Sequence, residues 1–197
     1  MPHMDMRELD ARALAATTRL VEQVKPGQLD GPTPCAGWTL RDLLRHMVGN
    51  NNGFADAALG KPGEPDVWDG AGVGEEPQRE FADSARRVAD AFRSVEPLAG
   101  RFDIPGYGMV PAPTAVEMHF IDYLTHGWDV AVSIGADPGL DEESCLAVLR
   151  IGEAWPKDST KIWGPGQAFG YRVEVPDGAS PADRMLGFLG RDPSWRP

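Results

Sequence analysis

The chain has 197 residues, of which 42% are hydrophobic and 25% are charged, a composition typical of a globular protein that can bury its own core. Its formal net charge of −11 disfavours nucleic acid and anionic membrane surfaces as partners. No apolar run approaches the ~20 residues of a membrane span, and the first residues, MPHMDMRELD, lack the apolar stretch of a signal peptide. Two cysteines, Cys35 and Cys145, are too few for a disulfide framework, so we expect a cytoplasmic protein.

The hydrophobic pattern predicts a mainly helical protein. Apolar residues recur at the three- and four-residue steps of a helix in four long segments and two shorter ones. The long segments are residues 6–25, 39–59, 77–95 and 114–134, and the shorter ones are 141–155 and 182–189. Residues 171–175 have the composition of a strand. We therefore expect an all-α, antiparallel four-helix bundle over residues 6–156, followed by a short C-terminal α/β extension over 157–197, in one domain of residues 1–197.

Local signals set the predicted helix ends. Pro26 stops the first helix, and Thr39 with Asp42 has the spacing of a capping box at the start of the second. Thr114 can cap the fourth long helix, and Gly135 ends it. These signals predict where each helix begins and where the chain turns away from it.

Two connections rich in glycine and proline, residues 60–76 and 97–113, fit no regular element beyond short extended pieces. A connection as long as 60–76 is usually a crossover or a site lid, and we expect it to be mobile, with Trp68 helping to close a site. Glycine and asparagine at 49–53 weaken the middle of the second helix, so something else should stabilise this stretch.

Four polar residues share one face of the fourth long helix. His119, Asp122, His126 and Asp129 follow one another at steps of three, four and three residues, within a band of ~80°. Asp122 and His126 can hold one ion from adjacent turns. If the second helix is a neighbour, His46 completes a set of two imidazoles and one carboxylate. This set suits Zn²⁺ first, with Ni²⁺ or Fe²⁺ as alternatives, and leaves a coordination position open for catalysis.

Each of these residues also has a structural interpretation. A His and an Asp four residues apart are often a solvated face or a local ion pair, and His46 can be a hydrogen-bonded core residue. His119 can be a ligand, a pocket wall or simply exposed, and Asp129 can tie helices together or orient a metal-binding imidazole. His3 is set aside because it lies in the terminal segment. Cys35 precedes a helix N-terminus, where a thiolate gains stability, but a small packed loop residue is the favoured interpretation.

Two stretches resemble a known family. TPCAGWTLRDLLRHMVG (33–49) and DYLTHGWDVAVSIGAD (122–137) closely resemble signatures of actinobacterial proteins built on the mycothiol-dependent maleylpyruvate isomerase N-terminal domain, within the DinB-like superfamily of four-helix metal-binding bundles. GRDP at 190–193 resembles the tail of a small single-domain subfamily. The resemblance covers residues 6–193 and implies metal ligands at His46, Asp122 and His126. In the isomerase the carboxylate is Glu, so the shorter Asp122 reaches less far.

The resemblance implies a metal-dependent enzyme that activates a low-molecular-weight thiol, such as mycothiol, for transfer to or isomerisation of a small electrophile. His119 would be its catalytic proton shuttle, and no thiol-binding residue is assigned. The isomerase has a second, C-terminal domain for which this chain is too short, so we do not expect the isomerase reaction itself. The alternatives are a non-catalytic metal or small-molecule binding protein and a metal-free bundle with polar core histidines. Expected partners are a small substrate and a thiol, and a homodimer is left open.

Overall fold

Seven α-helices and one β-hairpin form the part of the chain that the structure, a computed structural model, describes: residues 5–94, 100–157, 159–160 and 162–197. The helices are α1 (Met6–Val21), α2 (Leu40–Ala58), α3 (Pro65–Trp68), α4 (Pro77–Ser94), α5 (Ala112–Ile134), α6 (Glu142–Gly152) and α7 (Pro181–Phe188). The strands β1 (Arg101–Ile104) and β2 (Gly108–Pro111) pair antiparallel. The predicted antiparallel bundle consists of α1, α2, α4 and α5, in which α1 packs mainly on α5 and α2 mainly on α4.

Two of the four predicted helix ends follow the sequence signals. The Thr39 hydroxyl accepts a hydrogen bond from the Asp42 backbone N–H, and the Asp42 carboxylate accepts one from the Thr39 N–H, which completes the predicted capping box of α2. Gly135 ends α5 with a left-handed φ of 71°, a conformation that costs glycine little. The predicted cap at Thr114 is wrong, because α5 begins two residues earlier. Pro113 lies in its first turn, where the missing amide hydrogen carries no penalty.

The predicted connections contain more structure than expected. The first helix ends at Val21 and not at residue 25, because a 3₁₀ turn (Pro26–Gln28) follows and helical backbone is disfavoured ahead of its proline. Residues 60–76 include the one-turn helix α3. The described part of 97–113 includes the β-hairpin, in agreement with the short extended pieces predicted there.

The strand predicted at residues 171–175 is wrong. These residues belong to no strand, and the Val173 N–H instead donates to the Gly187 carbonyl of α7 at 2.9 Å. The extension therefore follows the surface of a helix, which satisfies its backbone without a sheet. Two further expectations, Val95 on the third long helix and the set-aside His3, lie outside the described residues.

Two hydrophobic clusters flank α5. The first is enclosed mainly by α1, α2, α4 and α5. The second joins α5 and α1 to α6 and α7 and includes the fully buried Cys145, in line with the packing role predicted for this residue. Because α5 lies between both clusters, polar residues such as His119, His126 and Asp129 are buried as well. Within the described ranges, every helix falls short of the length and hydropathy that a bilayer-spanning segment requires.

Glycines in α2 make room for the segment around α3. A Cβ at Gly49 would lie 2.4 Å from the Trp68 carbonyl oxygen, and one at Gly53 would lie 2.3 Å from the Trp68 ring. The ring itself meets Phe54 at a centroid distance of 4.9 Å. The helix-weakening stretch 49–53 is thus stabilised by the close approach of a neighbouring segment.

Candidate metal centre

Helices α2 and α5 bring together the three residues for which metal binding is predicted. Ligand atoms of His46, Asp122 and His126 lie within 4.8 Å of one another. The Oδ1 atom of Asp122 is 3.4 Å from Nε2 of His126. The rings of His46 and His126 meet edge to face with their centroids 5.2 Å apart. The four-residue spacing on α5 supplies two of the groups, and the contact between α2 and α5 supplies the third.

The separation between Asp122 and His126 fits one tetrahedral ion. Zn²⁺ lies ~2.0–2.2 Å from imidazole nitrogen and carboxylate oxygen, so two of its ligand atoms stand ~3.3 Å apart. The 3.4 Å between Asp122 and His126 agrees with this value. Three protein ligands leave a fourth position for water or substrate. The side chain of Asp122 is 23% exposed, so solvent reaches the group from that side.

Asn50, which is not among the predicted site residues, joins two of these residues. Its amide nitrogen donates to Oδ2 of Asp122 at 3.0 Å and lies 3.1 Å from Nε2 of His46. Burial lowers the pKa of His46 to about 4, so its ring is neutral at pH 7 and Nε2 accepts this bond. A donor held between two acceptors lies where a cation would also be attracted. The available signal was the position of Asn50 one turn after His46 on the same helix.

Charge pairing sets the protonation of the two α5 residues when no cation is bound. Burial alone would raise the pKa of Asp122, but the charge and hydrogen bond of His126 lower it overall. Burial alone would lower the pKa of His126, but Asp122 and Asp129 raise it well above its usual value. His126 is therefore an imidazolium at neutral pH, and a metal ion must displace the proton on Nε2.

A second polar network lies behind His126. Its Nδ1 donates to Oδ2 of Asp129 at 2.8 Å, the contact expected of a carboxylate that orients a metal-binding imidazole. Arg191 donates to both Asp129 oxygens, from Nε at 3.1 Å and from Nη2 at 2.9 Å. Burial would raise the pKa of Asp129, but the charge and hydrogen bonds of Arg191 keep it below its usual value. Asp129 is therefore an ionised carboxylate inside the protein.

Cys35 belongs to this second network and is more than a packed loop residue. Its Sγ donates to Oδ2 of Asp129 at 3.3 Å and lies 3.9 Å from Nδ1 of His126. Cys35, His126 and Asp129 also have the separations of a metal-binding group. However, the guanidinium of Arg191 already neutralises Asp129, and its positive charge opposes a cation at that position. The geometry therefore favours the first group as the cation site.

His119 lies in a different network. It is fully buried, with Nδ1 2.5 Å from Oδ1 of Asp10 and Nε2 3.1 Å from Oδ1 of Asn51. Its ring stacks on Tyr123 at a centroid distance of 4.2 Å. Seven residues separate it from His126, a rise of about 10 Å along the helix. Because both ring nitrogens are engaged away from the three candidate ligands, this geometry does not support the expected role as proton shuttle.

Aromatic side chains border the candidate centre. The ring of Trp38 lies 4.9 Å from that of His46 and the residue is 37% exposed. Tyr107, in the hairpin turn, is 47% exposed. Its partial burial and the charge of nearby Asp122 raise its pKa. Trp68, expected to close the site, packs against α2 instead.

The chain and its fold are similar to known proteins. The family model described as Mycothiol maleylpyruvate isomerase N-terminal domain matches residues 11–131. Two Mycobacterium tuberculosis relatives, "Uncharacterized protein MT0763" (strain CDC 1551 / Oshkosh) and "Uncharacterized protein Rv0738" (strain ATCC 25618 / H37Rv), are each 34% identical over 192 residues, covering 95% of this chain and 98% of theirs. Crystal structures of the mycothiol-dependent maleylpyruvate isomerase and a point mutant superpose with TM-scores of 0.57 and 0.59, at 17% and 15% identity, over 75% of this chain and 68% of theirs. This likeness confirms the predicted DinB-like bundle.

Proposed function

Because the chain belongs to the mycothiol maleylpyruvate isomerase N-terminal domain family, we propose that it is a divalent-metal protein that activates a low-molecular-weight thiol for reaction with a small electrophile. His46, Asp122 and His126 would hold the ion, with Zn²⁺ first and Ni²⁺ or Fe²⁺ as alternatives. Mycothiol or a close analogue is the proposed thiol, since the family and the enzymes of similar fold carry its name.

One observation carries the proposal: two imidazole nitrogens and one carboxylate oxygen from two helices converge within 4.8 Å. When bound, a divalent ion supplies Lewis acidity at the fourth position, which lowers the pKa of a thiol placed there. The 3.4 Å between Asp122 and His126 allows both to contact one ion. The shorter side chain of aspartate therefore suffices where the isomerase has glutamate.

The chain's own residues have separate tasks in this proposal. His46 is neutral at pH 7, and its Nε2 would serve as an electron-pair donor to the ion in place of the hydrogen bond from Asn50. Asp122 contributes the single negative charge of the ligand set, and Asn50 donates a hydrogen bond that restrains its second oxygen. The exposed faces of Trp38 and Tyr107 give a substrate apolar surface beside the open position.

A non-catalytic binding protein with the same centre is the second candidate. The observation that favours it is the engagement of His119 with Asp10 and Asn51, which removes the proposed proton shuttle from the centre. In that case His46, Asp122 and His126 would bind an ion or a metal–ligand complex without turnover. The experiment below distinguishes the two.

We also propose that residues 1–197 form a single domain, with the bundle over 6–156 and an extension over 157–197. Support comes from the second hydrophobic cluster, in which Met185 and Leu186 of α7 pack with Trp128 of α5. Because the extension shares this cluster with the bundle, it has no hydrophobic core of its own.

The test uses protein purified without chelators and without nickel affinity resin. Elemental analysis should find about one divalent ion per chain. The loaded protein should then accelerate addition of mycothiol to some member of a panel of small electrophiles, while metal-stripped protein and the Asp122→Asn variant should not. Asp30→Asn removes an exposed carboxylate and serves as the matched control. Absence of a bound ion, together with no binding of added Zn²⁺, would overturn the proposal, whereas an ion without turnover would favour the non-catalytic protein.

A further inference from the structure

The C-terminal segment places a buried cation next to the candidate metal centre. Arg191 lies 60 residues beyond the end of the family match at residue 131, yet its side chain reaches α5. The residue is 8% exposed, and its Nε and Nη2 contact both oxygens of Asp129 at 3.1 and 2.9 Å. This two-point contact uses the planar fork of the guanidinium, which a lysine cannot reproduce.

The end of α7 fixes the position of this guanidinium. The Arg191 N–H donates to the Leu186 carbonyl at 2.8 Å, which closes the turn after the helix. Gly190 has a left-handed φ of 76°, and a Cβ there would lie 2.6 Å from the carbonyl oxygen of Gly170. Leu186 and Leu189 are buried in the second hydrophobic cluster. The side chain of Arg191 therefore starts from a packed, closely fitted backbone.

The contact with Arg191 restricts the orientation of Asp129. Oδ1 accepts from Nε, whereas Oδ2 accepts from Nη2, from Nδ1 of His126 at 2.8 Å and from Sγ of Cys35 at 3.3 Å. A rotation of the carboxylate would break several of these bonds at once in a buried site. Nδ1 of His126 is thus held as a donor, and its Nε2 remains directed toward Asp122 at 3.4 Å.

We propose that Arg191 is a positioning residue of the metal centre: through Asp129 it fixes the ring orientation of His126 and makes Nε2 the ligand atom. The proposal rests on the metal centre of the proposed function. It also assigns a role in the centre to the C-terminal segment, which the family match does not include. The competing possibility is a purely structural ion pair between α5 and the segment that follows α7.

The experiment compares Arg191→Met and Arg191→Lys with the exposed Arg196→Met as the matched control. Zn²⁺ affinity is measured by titration calorimetry, and the fold is checked by circular dichroism and thermal unfolding. The ring proton on Nδ1 of His126 is followed by NMR in metal-free and Zn²⁺-loaded protein. A hydrogen bond to a buried carboxylate protects this proton from exchange with water. Its signal therefore reports whether Asp129 holds the ring of His126 in place.

Arg191→Met should weaken Zn²⁺ binding about tenfold, which is the lower end of the range for residues that orient a metal ligand. The variant should also lose the signal of the Nδ1 proton. Arg191→Lys should keep the fold and give a smaller loss, because it retains the charge without the fork. If Arg191→Met fails to fold, the lysine variant decides. Unchanged affinity and an unchanged signal in a folded Arg191 variant would show a structural ion pair only. If wild-type protein binds no Zn²⁺, the proposed function is wrong, and the signal in metal-free protein still shows whether Arg191 positions the ring.

Discussion

Replacement of His119 by alanine should destabilise the bundle strongly and leave Zn²⁺ affinity nearly unchanged. His119 is fully buried and connects Asp10 of α1 to Asn51 of α2. Asn51 in turn donates to the hydroxyl of Ser84 on α4 at 2.9 Å. One side chain of α5 thus completes a polar chain through all four helices of the bundle.

The expected magnitude follows from the partners that the substitution leaves behind. Asp10 is 3% exposed, and removal of the partner of a buried charge typically costs ~3–5 kcal/mol. The unpaired oxygen of Asn51 adds ~1–3 kcal/mol if no water replaces the ring. Because these terms overlap, we expect a loss of about 3–5 kcal/mol, a large part of the ~5–15 kcal/mol that stabilises a typical domain.

Urea denaturation followed by circular dichroism measures this loss, and calorimetry measures Zn²⁺ affinity of the folded variant. The double variant Asp10→Ala/His119→Ala removes both partners, so its loss should fall short of the sum of the single losses by ~1–3 kcal/mol. A loss under ~1 kcal/mol for His119→Ala would refute the buried network. The loss of a group that orients a metal ligand typically lowers metal affinity by up to ~100-fold. A larger fall in Zn²⁺ affinity for His119→Ala would place His119 at the metal centre instead.

Three further predictions concern the centre and its support. His126→Ala should weaken Zn²⁺ binding by orders of magnitude, whereas Asp122→Glu should retain it; equal calorimetric affinities for wild type and His126→Ala would contradict this site. Zn²⁺ binding at pH 7 should release about one proton, because the raised pKa of His126 keeps Nε2 protonated. The Zn²⁺ affinity should therefore rise with pH, by at most tenfold per pH unit. A Zn²⁺ affinity that stays constant from pH 6 to 8 would contradict this release of a proton. Gly53→Ala, whose Cβ would lie 2.3 Å from the Trp68 ring, should cost ~1–3 kcal/mol in thermal unfolding. Gly27→Ala meets no atom within 4 Å and is the control; equal losses for both would exclude the clash.

The fold was predictable where a helix carries its own signals. The capping box of Thr39 and Asp42 and the terminal Gly135 depend on residues a few positions apart, and the structure has both. The elements that were predicted wrongly or not at all depend on partners that are distant in the sequence. Residues 171–175 have strand composition but meet the end of α7, and α3 forms where glycines of α2 leave space.

The candidate site shows the same difference between signals within one helix and contacts with distant residues. Asp122 and His126 could be paired from their spacing on one helix. His46 could be added only on the condition that the second helix is a neighbour, and the resemblance to the family supports that condition. Arg191 could not be found in this way, because it follows Asp129 by 62 residues and reaches it only after α7 packs on the second cluster. Periodicity assigns a residue to a helix face, but it does not identify the element that will face it.

His119, Asp122, His126 and Asp129 form a polar stripe along α5, and the length of this stripe explains why its four residues have different roles. From His119 to Asp129 the helix rises ~15 Å, whereas an ion contacts ligands at only ~2 Å. One ion can therefore engage a single turn of the stripe, and Asp122 with His126 occupy the turn that His46 of α2 meets. One turn before Asp122, Asp10 of α1 meets His119, and one turn after His126, Arg191 meets Asp129. The segment that faces α5 at each height thus decides whether a residue of the stripe binds an ion, stabilises the core or orients a ligand.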